Sequence, residues 1–436
     1  MEGFSIADAT ETWYMEMIGK GKWGKGVVWV ALRVPDGYIS AHANQARITT
    51  FLPCNPSDCM AAPDVVSFAI ERGYFKGAKD DPNFSFSDTY DPVTFEGARF
   101  CEARVFSIFT AIAHPDDFNP NEHLEYARGY DLTKRMPLFV RPREKLDREK
   151  MHTLMSNHYQ DTWFDPSVDV GAGAEHTPYR WNGLIWEYDG KSYVNERVVG
   201  VHYTGWHFVA HVGSEDVPKQ MRALMYWGAD DHSYSPKIPL HGGADAVHSS
   251  YDDAQCTGRA TCRATAGLPG NVMNFSWDSA WWVNNAVADT VYTRKDRAAP
   301  VVLAAREALD KELDAALKTA EAAASAAFKA GNIAEGKQVL TAHAMAAGAL
   351  ATATWRELWQ RLMTSFIDGS IKTASKGGTE DCGCTSEHVS YTDAWKTKVV
   401  TDAGEHYRVP SSTLQAPRAQ HDKPPISKMK VKGVIF

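Results

Sequence analysis

The amino-acid sequence predicts an α+β protein made largely of antiparallel sheets, with a helical hairpin toward its C-terminal end. Two observations carry that reading. Short apolar strands joined by tight turns crowd the opening segment, and parallel pairing would need a crossover of a dozen or more residues between them. Far downstream, an Ala-rich stretch and a Trp/Leu-rich stretch repeat at helical spacing on either side of a Gly-Asn break.

Phe4-Ser5-Ile6 and Trp13 to Ile18 flank Ala7-Asp8-Ala9-Thr10-Glu11, a turn composition, so they predict a hairpin. Val27 to Leu32 follows a glycine-rich turn as a third strand. Pro35-Asp36-Gly37 then turns the chain into a predicted fourth strand, Tyr38 to Asn44. Asp64 is placed to cap a helix carrying Val65, Phe68, Ala69 and Arg72. A second helix is expected from Ala98 to Ala113, and a third carries Met151, Leu154, Met155 and His158. Strands return between Thr177 and Val212, where Asp189-Gly190 makes a turn, and again at Ala223 to Trp227. Residues 229–270, rich in Gly, Asp, His and Ser, read as an irregular loop. Leu309, Leu313, Leu317, Ala320 and Ala324 share one face of the Ala-rich helix. Gly331-Asn332 ends it, and Trp355, Leu358, Trp359, Leu362 and Phe366 line the next, giving an antiparallel hairpin with a narrow seam. From Ser375 the chain is polar and reads as a loosely packed tail.

Hydrophobic residues make up 44% and charged residues 23% of the 436, which excludes wholesale disorder. A net charge of −8 argues against a nucleic-acid partner. No apolar run approaches the ~18 residues of a membrane span. The opening residues show no basic n-region, apolar h-region or cleavage site. The compartment stays open: secretory or lysosomal with an upstream signal, cytoplasmic otherwise. Cys54 with Cys59, and Cys256 with Cys262, are spaced to close small disulfides, and sequons at Asn83 and Asn274 point the same way; reduced surface cysteine is the alternative.

Two motifs suggest chemistry that their context denies. Gly19 to Gly26 satisfies G-x-G-x-x-G, but a phosphate loop must open a helix, and here a Val- and Trp-rich strand follows. His202, His207 and His211 resemble a metal cluster, yet on a strand His202 falls opposite the other two and no acidic residue sits at ligand spacing. Neither H-E-x-x-H nor G-x-S-x-G occurs.

A series of blocks in one consistent order resembles a known family. They are Phe4-Ser5-Ile6-Ala7-Asp8, Trp13-Tyr14-Met15-Glu16, Pro35 to Ile48, Phe84 to Asp88, Gly97 to Val105, Asp169 to Gly173, Pro178-Tyr179-Arg180-Trp181, Phe275 to Asn284 and the helix from Trp355 to Gly369. Together they resemble the cysteine dipeptidases of the N-terminal-nucleophile (Ntn) hydrolases, dipeptidase A type. The resemblance implies an αββα sandwich of largely antiparallel sheets over residues 1–296, the helical hairpin over 297–370 and a tail over 371–436. It also implies hydrolysis of dipeptides by an N-terminal Cys whose own amino group is the base, with no metal or organic cofactor. Asn44 matches the residue that in related acylases helps hold the tetrahedral oxyanion. Arg99 matches the arginine beside the nucleophile, where a guanidinium favours thiolate. Arg47, Arg104 and Arg180 are candidates to grip the dipeptide's terminal carboxylate, and Asp88 to orient its amine.

The sequence departs from the family at one point. Met1-Glu2-Gly3 stands where the nucleophile would be, and none of the seven Cys replaces it convincingly. The nucleophilic strands would then lie upstream, so the expectation is a truncated chain with open sheet edges. Its activity would be lower by something on the order of a millionfold. Alternatives are an acylase-like amidohydrolase, or a non-catalytic binding protein on a decayed Ntn scaffold. The helical hairpin is expected to pack on the core, with a homo-oligomer as its other use.

Overall fold

Strand β1 (Glu2–Ala7) folds back on β2 (Thr12–Gly19), and β2 pairs with β3 (Val27–Arg33), all antiparallel. The glycine-rich segment between β2 and β3 is a hairpin connection with one 3₁₀ turn, and no helix follows it. The fourth strand is not Tyr38 to Asn44 but β4 (Cys59–Ala61), held beside β3. The predicted strand fails because its backbone polar groups find other partners. Ile39 makes one isolated bridge to Val140. Beyond it, Ala41 O accepts from the Arg47 guanidinium and Ala43 O from that of Arg104, and Asn44 takes φ +60°. Cys54 and Cys59 form the disulfide anticipated at this loop.

The computed structural model describes residues 1–181, 183–251, 275–366, 369–374, 383–388 and 390–409. Cys256, Cys262, Cys382 and Asn274 lie outside the described residues.

Helix α1 (Val65–Arg72) closes at Gly73, whose φ of +74° lets its amide cap the last turn. Asp64 stands at its start, yet its side chain binds Lys20 at 2.5 Å instead of capping. Helix α2 (Phe86–Tyr90) is capped by Ser85. A π-helical turn, Gly97–Glu102, leads into α3 (Ala103–Ile112). Then come α4 (Pro120–Ala127) and α5 (Arg148–Met155). Hairpin β5 (Ile185–Tyr188) and β6 (Lys191–Val194) turns at Asp189-Gly190 as expected. A second sheet has the order β7 (Trp206–Val212), β8 (Ala223–Ala229), β9 (Ile238–His241), again antiparallel. Strand β9 lies in the segment read from sequence as loop.

Helix α6 (Ala280–Thr293) precedes the long antiparallel pair α7 (Lys295–Lys329) and α8 (Ile333–Phe366). Leu309 and Leu313 of α7, and Ala347, Ala351, Trp355, Leu358 and Leu362 of α8, are buried together with Val283, Val287 and Val291 of α6 and Phe106 and Phe109 of α3. Each fully buried Leu or Phe contributes roughly 1.5–3 kcal/mol relative to exposure, so this apolar seam is what fixes the hairpin. A separate cluster beneath the first sheet holds Tyr14, Val28, Val30, Ile48, Phe84 and Phe86. Hairpin β10 (Ile371–Ala374) and β11 (Cys384–Glu387) follows α8.

The chain divides into Met1–His388 and Val389–Phe436. The second unit contains α9 (Asp393–Ala403), capped by Thr392 and burying no residue. The architecture is mixed α and β with antiparallel sheets. No helix among the described residues is long and apolar enough to cross a membrane.

Candidate functional site

The loop from Ala41 to Ile48 is shaped by a buried carboxylate. Glu16, pointing inward from β2, accepts the amides of Arg47 at 2.6 Å and Ile48 at 3.1 Å, and the hydroxyl of Tyr14. Burial pushes the Glu16 carboxyl up, and these donors pull it back toward the charged form. Beside it, His42 lies over the Tyr14 ring at 4.7 Å. Burial first, and the Arg47 charge second, push that imidazole down to about 4, so it is neutral near pH 7.

Arg47 is 6% exposed and fully committed to the fold. Its Nε lies 3.1 and 3.2 Å from the two carboxylate oxygens of Glu102. Its Nη1 donates to Ala41 O at 2.8 Å and its Nη2 to Pro137 O at 2.9 Å. Tyr126 completes the set by donating to Glu102 at 3.0 Å. Arg47 and Glu102 also line a cavity of ≈ 240 Å³ with Thr49, Thr50 and Arg135.

Asn44 comes next to Arg104. The Arg104 Nη2 donates to the Asn44 side-chain oxygen at 3.0 Å and to Ala43 O at 3.1 Å, while its Nε donates to Phe100 O at 2.8 Å. That carbonyl is available because Phe100 sits in the π turn, where the regular i→i−4 ladder is interrupted. With its oxygen engaged, the Asn44 amide has no further hydrogen bond to a described residue, and the residue lies on an exposed bend. A non-glycine residue held at positive φ is the kind of strain that clusters at functional sites. The free thiol of Cys101 is buried in the same neighbourhood. Burial raises its pKa and Arg104 opposes that; burial wins, so it remains a thiol near neutrality.

The other residues singled out by resemblance lie in self-contained pairs. Arg99 is 8% exposed and forks onto Glu196 at 3.1 and 2.5 Å, beneath the Trp163 ring. Arg180 holds Asp169 at 2.8 and 2.9 Å. Asp88 accepts from Ser85 at 2.6 Å and from Arg135 at 2.8 Å. Thus Asn44 and Arg104 are brought into contact, Arg99 sits at the start of the same helical segment with its charge matched, and Arg180 and Asp88 have carboxylate or guanidinium partners of their own. Sequence reading missed Glu196, the partner of Arg99, because only the fold brings residues 99 and 196 together.

A second polar cluster occupies 229–237, which sequence reading left as loop. Asp230, Asp231, His232, Ser235 and Lys237 are all buried. Helix α6 reaches it through Asn284 to Ala229 O at 3.0 Å and Tyr292 to Asp231. Arg306 of α7 donates to Ser233 O at 2.7 Å, and Trp355 of α8 to Tyr234 O at 3.0 Å. The His207 and His232 rings lie 4.2 Å apart. Burial pushes His207 down to about 3 and Lys237 down to about 7, with neighbouring positive charges adding to both. His207 is on β7 and buried, whereas His202 precedes the strand and His211 is exposed. Among the described residues no group of three or more His, Cys, Asp or Glu is placed to hold a metal ion.

This chain belongs to a peptidase family. A family model described as Peptidase family C69 matches residues 1–306, which takes in both sheets and ends just inside α7. Among curated relatives, a probable dipeptidase of Salmonella dublin is 30% identical over 167 residues, 38% of this chain and 34% of that protein. A probable dipeptidase A of Streptococcus pyogenes serotype M1 is 24% identical over 238 residues, 55% of this chain and 43% of that protein. Dipeptidase A of Lactobacillus helveticus is 23% identical over 184 residues, 42% of this chain and 35% of that protein. The chain therefore matches less than half the length of each of these three relatives.

Proposed function

We propose that this chain carries the oxyanion- and substrate-binding portion of a cysteine dipeptidase of the Ntn type, on the αββα sandwich the resemblance implies. The observation that carries the reading is the Asn44 amide, strained at φ +60° and held by its oxygen to Arg104 at 3.0 Å. An amide oriented in this way offers N–H donors to a developing oxyanion and needs no reorganisation as charge appears. Arg104 acts through Asn44 as a positioning residue. The relatives' names support a dipeptide as substrate. Cys101, buried and held as a thiol, is not assigned the role of the nucleophile.

Binding tests this without needing turnover. A phosphinate analogue of Ala-Ala places negative oxygen where the tetrahedral intermediate would have it. By calorimetry it is expected to bind the chain more tightly than Ala-Ala does. Asn44→Ala should weaken the phosphinate by about 10²–10³-fold, the usual effect of losing one oxyanion donor, and leave Ala-Ala much less changed. Equal phosphinate affinity in the wild type and the variant would contradict the assignment.

A further inference from the structure

Helix α5 is anchored by a histidine. Of its residues only His152 and Leu154 are buried, so little apolar surface holds it down, and elements held in this way open at low cost. The His152 ring meets the His232 ring at 6.2 Å and the Tyr226 ring of β8 at 6.3 Å. One turn further on, Ser156 Oγ shares a hydrogen bond of 3.0 Å with His232 Nδ1. The His232 ring also meets His207 of β7, at 4.2 Å. In all three imidazoles Nε2 is buried without a hydrogen-bond partner among the described residues. A proton added there would be a buried N–H with no acceptor, and such groups are expensive. His207 is fixed in place: its Nδ1 is 3.0 Å from Asp230 O, and its Nε2 lies so close to Gly228 that a Cβ there would stand 2.2 Å away.

The neighbouring charges resist a further cation. Lys237 is 2% exposed and donates to His232 O at 3.3 Å, while Arg306 of α7 donates to the next carbonyl, Ser233 O, at 2.7 Å. On α5 itself, Arg148 forks onto Asp314 of α7 at 2.6 and 2.8 Å and reaches Glu149 at 2.9 Å. Asp310 of α7 carries the remaining carboxyl that acts on Lys237, and burial raises it to about 6. Asp230 and Asp231 turn to α6, through Asn285 at 3.2 Å and the Tyr292 hydroxyl. Burial first, and Lys237 next, hold His152 down at about 2 and His232 well below its ordinary value.

We propose that α5 is an acid-released cover, which leaves the 229–237 segment below about pH 6 so that His152 and His232 can take up protons, and reseats at neutrality. With the helix seated both imidazoles stay neutral; with it open they titrate near about 6.5, so acid favours the open form. Each contributes about tenfold to the opening constant between about pH 7.5 and 5.5, and the two together about a hundredfold. Lys237, lowered to about 7, regains its proton on opening and adds to this, whereas Asp310 gives one up and offsets it by a similar factor. Asp230 and Asp231 stay with α6, and His207 stays against Gly228.

Hydrogen exchange on the full chain tests the proposal. Protection factors of the Met151 to Ser156 amides, corrected for the intrinsic pH dependence of exchange, should fall about a hundredfold from pH 7.5 to 5.5 and recover on return. Those of α8 between Ala347 and Trp355, which are buried in the core, should stay level. His152→Phe keeps a ring without the proton site and should cut the fall to about tenfold, with circular dichroism establishing that it is folded. Level protection of α5 in the wild type overturns the proposal whether or not the variant folds. So does a fall shared equally by α8, which would be global unfolding, or an undiminished fall in folded H152F.

Discussion

The Asn44 loop and the 229–237 segment are both rich in polar residues, and they treat charge in opposite ways. Around 229–237, helices α6, α7 and α8 close over the histidines, aspartates and Lys237. Burial removes much of their charge: His207 falls to about 3, Asp230 rises well above the usual carboxylate range and Lys237 drops to about 7, while Asp231, at about 6, stays mostly ionised near neutrality. The segment's backbone carbonyls accept from the Asn284 amide, the Arg306 guanidinium and the Trp355 indole, while Asp230 Oδ2, His232 Nε2 and Ser235 Oγ are buried without a hydrogen-bond partner among the described residues. It behaves as the polar mortar that seats the helical hairpin. Around Asn44 the charges are kept. Arg47 is paired with Glu102 and Arg99 with Glu196, while Arg104 binds carbonyl and amide oxygens and, among the described residues, no carboxylate. One region buries titratable groups beneath helices, and the other keeps its guanidinia charged beside an exposed bend.

The Arg47–Glu102 pair gives the largest expected effect. It locks the loop that carries Asn44, and its ions are almost wholly buried. Glu102→Ala leaves a buried guanidinium uncompensated and should cost about 3–5 kcal/mol in urea unfolding. A loss below 1 kcal/mol would place this pair among surface interactions and blur the contrast drawn above.

A smaller effect tests the discharged region. In the folded chain His207 stays neutral down to about pH 3, but an unfolded imidazole takes a proton near 6.5. The unfolded state therefore binds more protons between those values, and the stability contributed by the neutral imidazole falls as pH falls from 6.5 toward 3. His207→Phe removes that dependence. The unfolding free energy of the wild type relative to this variant should be level above pH 7. It should then decline by up to about 3 kcal/mol by pH 4. A flat difference across that range would show that His207 is not held neutral by burial.

Elements whose partners are near in sequence were legible from it. The β1–β2 hairpin follows from a five-residue turn between apolar runs, and α7–α8 from leucines, alanines and tryptophans at helical spacing around Gly331-Asn332. The Tyr38 to Asn44 segment was misread because its backbone is claimed by Val140 and by the Arg47 and Arg104 side chains, and Val140 and Arg104 are remote in sequence. Strand β9 was missed because Ile238-Pro239-Leu240-His241 is short and contains proline, tolerated here on a strand at the sheet's edge. At the site, Asn44 and Arg104 were singled out separately, but not the hydrogen bond that joins them.

The central claim is that Arg104 works on the substrate through the Asn44 amide. A double-mutant cycle on phosphinate affinity, using Asn44→Ala, Arg104→Gln and the pair, tests it most directly. Residues acting through one contact show coupling of about 0.5–3 kcal/mol, so the double variant should bind distinctly better than the sum of the single losses implies. Losses that simply add would mean that the two side chains serve the ligand independently, and the account of Arg104 as the group that aims Asn44 would be contradicted.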